Sequence, residues 1–290
     1  MVKLIVSQKA KNDNHSKKDK TIIQFSSVKV QIYKVKNPDS CISEIVEVKS
    51  DTSTDTLTHF VPPFGSPEII LYVRQTHQIK NVPFANGAIK GLYNISQKID
   101  FIPNYHFVAI RLKPYGLKKL FNINAAELLN SVMDLENHSV ASYFFNLFSE
   151  KEMLDISCLK TLINCIEQYA VYPVSSSTKA FIKLASETEY KTIKNLTCQN
   201  GIGQRTLQRN FRKEVGLSPK EYLRIKRLNA IEQKMSQKAD IFEIIADFDF
   251  SDQAHFIKDF KKLRSFTPSE IFKNKLLLSD QLTVPEIISI

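Results

Sequence analysis

Arg205, Gln208, Arg209 and Arg212 are spaced three, one and three residues apart, which places them on one side of a single helix. Their types suit the edges of base pairs. An arginine fork can grip guanine O6 and N7, and a glutamine amide can bridge adenine N6 and N7 in the major groove. Leu207 and Phe211, four residues apart, form the apolar side that such a helix would bury. A plain solvated cationic stripe would have the same composition. The surrounding elements therefore decide between the two readings.

Those elements repeat with an offset of 49 residues. Ile193, Leu196 and Thr197 correspond to Phe242, Ile245 and Ala246; Leu207 and Phe211 correspond to Phe256 and Phe260; Arg212 and Lys213 correspond to Lys261 and Lys262. Leu217-Ser218-Pro219 returns as Phe266-Thr267-Pro268. In the first copy the pattern predicts a short helix over 192–199, a stop at Asn200-Gly201, and a second helix over 203–215 that Gly216 ends. Ser218 then caps a further helix with Pro219 in its first turn. The second copy predicts helices over 241–248 and 252–264, with Thr267 as the next cap. Two short helices joined by a tight turn, the second with a basic outer face, make a helix-turn-helix unit.

The second outer face is less suited to reading bases. Its equivalent positions are Ala254, Ile257, Lys258 and Lys261, with Gln253 and His255 as flanking polar candidates. Lysines suit phosphates, and Ala or Ile suits a thymine methyl. A surface histidine without a partner is an equal reading of His255. Between the copies, residues 219–235 predict one helix of about 17 residues, about 25 Å long. A rigid connector of that length could hold two recognition helices in successive major grooves, about 34 Å apart. Arg224, Lys226 and Arg227 add charge to it.

The chain has 290 residues and a net charge of +10. Residues 178–275 hold 20 Lys and Arg against 12 Asp and Glu, so most of the excess sits in about a third of the length. A basic balance favours nucleic acid or an anionic surface as partner. Residues 9–20 are polar and lysine-rich, and residues 1–20 read as a flexible basic segment. From residue 21 to about 113, short β-branched and aromatic runs alternate with turn residues (22–25, 28–33, 69–73 and 107–112), which predicts a β-barrel or sandwich-like region. The period then becomes helical over 125–132, 140–148 and 157–169. Tyr172-Pro173-Val174-Ser175-Ser176-Ser177 reads as an interdomain linker. The expected organisation is α+β: a mixed β/α sensory or dimerisation domain over 21–174, an all-α domain of two helix-turn-helix units over 178–275, and a tail over 276–290.

Other chemistries find little support. Cys41, Cys158, Cys165 and Cys198 form no CxxC pair and no zinc spacing. The chain has seven glycines, too few for phosphate-binding loops, and contains no HExxH or nucleophile elbow. No apolar run approaches the roughly 20 residues that span a bilayer. The N-terminus lacks the apolar core of a signal peptide. The expectation is a cytoplasmic protein without membrane, catalytic residues, metal or cofactor.

The run GQRTLQRNFRKEVGLSPKEYLRIKRLNA from Gly203, and FSDQAHFIKDFKK from Phe250 followed by Thr267-Pro268-Ser269-Glu270, resemble the two signatures of the AraC/XylS family. The resemblance covers roughly residues 178–275. It implies sequence-specific transcription regulators, commonly activators, with recognition helices at the positions derived above. Two residues depart from the family pattern: Asp249 and Ser265 stand where glycine is usual. Asp tolerates a left-handed turn less well than Gly. The N-terminal part is similar to an uncharacterised domain found ahead of this module, through Phe60-Val-Pro-Pro, Arg111-Leu-Lys-Pro-Tyr-Gly-Leu, Ala126-Glu-Leu-Leu and Val132-Met-Asp-Leu. The module also occurs fused to alkyl-transferring repair domains, but their metal-held cysteine cluster has no counterpart here.

The function expected is a sequence-specific DNA-binding transcription regulator, an activator by analogy. The DNA-binding residues expected are Arg205, Gln208, Arg209, Arg212, Gln253, His255, Lys258 and Lys261. The alternatives are a non-specific architectural DNA binder and an enzyme with a DNA-binding module. Double-stranded DNA and RNA polymerase are the expected partners, with a small-molecule effector of unidentified chemistry and a homodimer left open.

Overall fold

The computed structural model of the protein describes residues 6–7, 28–50, 57–74, 87–101, 105–135, 155–187, 203–237, 240–273 and 286–289. Strands β1 (Val6–Ser7), β4 (Leu57–Val61) and β7 (Gln97–Phe101) form a small sheet in the order β1-β4-β7. A larger sheet takes the order β10-β2-β3-β8-β5-β6-β9. It is built from β2 (Val28–Lys34), β3 (Ile42–Ser50), β5 (Glu68–Arg74), β6 (Gly87–Lys90), β8 (His106–Leu112), β9 (Val132–Asp134) and β10 (Glu286–Ser289). The described strands therefore form two sheets, not a closed cylinder. Of the two β architectures expected, this leaves the sandwich-like one.

Both faces of the large sheet are covered, so β8 is buried at every position despite its antiparallel neighbours. Val30, Ile32, Val46, Val48, Phe107 and Ala109 face the helical domain. Tyr33, Ile45, Ile69, Val108, Ile110 and Leu112 face α1 (Gly116–Phe121) and α2 (Ile156–Gln168) through Leu117, Leu120, Leu159, Leu162 and Ile166. On the first face, register places Glu44 opposite Arg111, Arg111 opposite Glu68, and Glu68 opposite Lys90. Arg111 pairs with Glu44, and its Nε and Nη2 lie 3.1 and 3.0 Å from Glu68 Oε1. Lys90 Nζ lies 3.3 Å from Glu68 Oε2, and the Phe64 ring covers the Arg111 guanidinium at 4.1 Å. Alternating signs let four buried charges neutralise one another, as burial of charge demands. Burial raises the Glu68 pKa, but Lys90 and Arg111 outweigh it and hold the carboxyl below its usual range.

The segment 125–132 is not the helix its periodicity suggested. A 3-10 turn, Ala125–Leu128, is followed by Asn130 at φ 58° and then by β9. The left-handed Asn130 stops the helix. Its N–H donates to Leu92 O and the Gly91 N–H donates to Ser131 O, at 2.8 and 3.0 Å, so the segment is drawn to the edge of β6. The helix expected over 157–169 is present as α2. Residues 140–148, the strand run 22–25 and the first-copy helix 192–199 lie outside the described residues. So does the expected N-terminal segment, apart from Val6–Ser7, which pair with β4. In the expected linker, Val174 is buried and Ser175 bonds Glu214 through its N–H and hydroxyl, at 2.9 and 2.7 Å. The tail also returns to the sheet, where β10 pairs in parallel with β2. Among the described residues no helix is long and apolar enough to cross a membrane.

The helical domain comprises α3 (Ser176–Glu187), α4 (Gln204–Val215), α5 (Pro219–Ser236), α6 (Ile241–Asp247), α7 (Gln253–Arg264) and α8 (Pro268–Lys273). Where both copies are described the 49-residue offset holds: α4 and α7 correspond end to end, and α5 and α8 both begin on proline. Each copy has a reciprocal cap. Ser218 Oγ accepts from the Glu221 N–H while Glu221 accepts from the Ser218 N–H, and Thr267 and Glu270 do the same.

Candidate nucleic-acid interface

Helix α4 buries Leu207, Phe211 and Val215. The Phe211 ring packs edge-on against Phe181 of α3 at 5.3 Å and against Tyr222 of α5 at 5.5 Å. This fixes the rotation of α4 about its axis and leaves Arg205, Gln208, Arg209 and Arg212 exposed together. Arg212 reaches back to Glu221 of the α5 cap at 3.1 Å. Among the described residues Arg205 and Arg209 have no ion-pair partner. Burial raises the Glu221 pKa, but the bonds within the cap, with Arg212 beside it, outweigh burial and keep the carboxyl below its usual range.

Helix α7 repeats the arrangement. Phe256 and Phe260 are buried, and Phe250 packs on Phe256 at 5.2 Å. Gln253, Ala254, His255, Lys258 and Lys261 are exposed, and Ile257 is half-buried. Asp252 caps the helix by accepting from the His255 N–H at 2.7 Å. That bond and the Ser251 hydroxyl lower its pKa. The helix starts where expected, and all eight candidate residues lie on the outer faces of the two long helices.

The connector α5 has 18 residues, about 27 Å of rise. Its arginines do not extend the outer basic face. Arg224 and Arg227 both pair with Asp259 of α7, the latter at 3.2 Å, and Arg227 also lies 4.3 Å over the Phe250 ring. Lys226 is pushed below the usual lysine range by burial. These contacts fix α7 against α5, a positioning role that sequence reasoning missed.

Arg264 was missed as well. It is fully buried, pairs with Glu232 of α5, and donates to Ser96 Oγ at 3.1 Å and Phe60 O at 3.4 Å. The Ser96 N–H donates in turn to Leu263 O at 2.8 Å. A signal was present: the first copy has Val215 at the position that Arg264 holds in the second, and both are 0% exposed. At the first unit, a Cβ on Gly216 would lie 2.7 Å from Ala125 O of the 3-10 turn. The β-rich part of the chain thus touches the far end of both outer-face helices.

Asp249 and Ser265 take φ of 55° and 65°. The turns are left-handed at both sites, and two non-glycine residues accept them. Cys41 and Cys165 are buried and Cys158 is half-buried; burial and then Glu167 push the Cys41 thiol up. Cys198 lies outside the described residues. Among the described residues no cluster of three or more His, Cys, Asp or Glu is placed to hold a metal.

The helix pair α6–α7, and α4 with the same exposed basic outer face 49 residues earlier, define a DNA-binding domain of the helix-turn-helix class. Residues 197–274 match the family described as "Helix-turn-helix domain", and residues 38–134 match the family described as "Domain of unknown function (DUF6597)". The chain thus carries an AraC-type helix-turn-helix domain in its C-terminal region, with a domain of that uncharacterised family ahead of it. No curated protein is similar enough to the chain to count as a match. Among solved structures it is similar to ToxT from Vibrio cholerae O395, with 13% identity over 86% of this chain and 98% of that one and a TM-score of 0.39. It is similar to unsaturated fatty acid bound ToxT from Vibrio cholerae strain SCE256, with 13% identity over 91% and 100% and a TM-score of 0.40. It is also similar to the AraC-like transcriptional activator CuxR, with 14% identity over 70% and 81% and a TM-score of 0.28.

Proposed function

We propose that the chain is a sequence-specific regulator, an activator that recruits RNA polymerase, and that it reads two successive major grooves of double-stranded DNA with α4 and α7. Residues 178–275 carry the DNA contacts; residues 21–174 sense an effector or pair two copies. The observation that carries the reading is the α4 face. Leu207 and Phe211 anchor the helix, and Arg205, Gln208, Arg209 and Arg212 project together from it. Helix α7 supports the reading by repeating the register with Gln253, His255, Lys258 and Lys261 on its exposed side. Four polar groups that suit base edges make α4 the main reader. The lysines of α7 suit phosphate anchoring.

The test is binding of full-length wild type and Arg209→Ala to a duplex enriched from random sequence. The variant should lose at least about 1 kcal/mol of discrimination at one base pair. Equal weakening on every sequence would make Arg209 a phosphate contact. Steep salt dependence with no enriched sequence would instead favour an architectural binder. Transcription from a promoter carrying the enriched site should rise with the protein present; a fall would reverse the sign of regulation.

A further inference from the structure

The start of α7 contains a short hydrogen-bond relay whose proton positions can be worked out. Asp252 Oδ1 accepts from the His255 N–H, and Ser251 Oγ lies 3.1 Å from Asp252 Oδ2. The carboxyl group sits below its usual range, so it is an anion with only lone pairs to offer. Ser251 must therefore donate its single hydroxyl proton to Asp252. The same Oγ lies 3.2 Å from His255 Nδ1, and with its proton already committed it can only accept there. Neutral His255 then carries its proton on Nδ1 and leaves Nε2 with a bare lone pair. A second contact steadies the ring: it packs edge-on to Phe250 at 5.3 Å and 79°. Phe250 is itself buried beneath the Arg227 guanidinium.

We propose that His255 is a specificity-determining residue that offers Nε2 as an acceptor to the exocyclic amine of adenine or cytosine in the major groove. Only those two bases present a hydrogen-bond donor there; guanine N7 and O6 and thymine O4 are acceptors. A bare Nε2 is also repelled by phosphate oxygens, so the residue reads bases and does not anchor the backbone. Ser251 and Asp252 are positioning residues that act through the ring tautomer. The inference rests on α7 lying in a major groove and gives the second unit a base-reading role beside its lysines.

Two measurements on the full-length chain test this. In the first, histidine is labelled with 15N and ring-nitrogen shifts are read at about pH 8, above the usual histidine range. The His255 signal, assigned by its loss in His255→Gln, should show the Nδ1–H form in wild type and move toward Nε2–H in Ser251→Ala. An Nε2–H form in wild type overturns the proposal. In the second, duplexes enriched from random sequence by wild type should carry A or C at one position in the second half-site. Ser251→Ala should shift that position toward G or T by about fivefold, the size of one net hydrogen bond. If His255→Ala changes no position while Lys258→Ala and Lys261→Ala weaken binding, α7 is in contact with DNA and His255 is not a reader. If none of the three variants alters binding, the placement of α7 in a groove fails and the proposal fails with it.

Discussion

Replacing Arg264 with methionine should be among the most damaging single changes in the chain. The guanidinium is fully buried against Glu232, itself 3% exposed, and serves Phe60 O and Ser96 Oγ as well. Methionine keeps much of the volume but leaves the Glu232 carboxylate buried without a counter-charge. Breaking a buried pair in this way costs about 3–5 kcal/mol. That is a large share of the roughly 5–15 kcal/mol that holds a typical domain together. Replacing both partners, as Arg264→Met with Glu232→Leu, removes the stranded charge. The double variant should recover most of the loss, because apolar substitutes for a buried pair are often neutral. The assay is urea unfolding at neutral pH followed by circular dichroism. Hydrogen exchange of the Ser96 amide reports the same contact from the other side, since that N–H donates to Leu263 O. A single-variant loss below about 1 kcal/mol, the range of exposed pairs, would refute the reasoning. So would a double variant as unstable as the single one.

Glu68→Gln should change the acid limb of the stability curve. The folded Glu68 carboxyl is held below its ordinary range, so its contribution is present above the unfolded pKa of about 4.3 and is lost as pH falls through the folded value. The variant should be less stable at neutral pH and lose less on acidification; an unchanged slope in urea midpoints against pH would contradict this. Asp249→Gly and Ser265→Gly should each raise stability by about 0.5–1 kcal/mol, because an exposed L-residue pays for its left-handed φ and glycine does not. Thermal melts of the two variants check the sign, and a drop in either would show that the side chain holds the turn.

Much of the helical domain was legible because its signals are local. Leu207 and Phe211 at helical spacing, Ser218-Pro219 and Thr267-Pro268 at helix starts, and the 49-residue repeat specify helices and faces from neighbours in sequence alone. The β-rich part was less legible. Strand β3 carries Glu44 and Glu47 among its apolar residues, and the pattern makes sense only once Arg111 and His106 are opposite and beside them on β8. Residues 125–132 had helical spacing, yet hydrogen bonds to Leu92 and Gly91 drew the segment onto a sheet edge.

The sequence by itself determined the two outer faces, Arg205-Gln208-Arg209-Arg212 and Gln253-His255-Lys258-Lys261, because amphipathic spacing separates buried from exposed residues within one helix. Only the tertiary structure decided what each charge is for. Arg224 and Arg227 look like phosphate contacts until Asp259 is beside them, and Arg264 looks like another surface cation until Glu232, Phe60 and Ser96 enclose it. The physical reason is that periodicity reports which side of a helix is wet. The role of a charge depends on which opposite charge or hydrogen-bond acceptor lies within a few ångströms, and those partners come from 32 to 204 residues away in the chain.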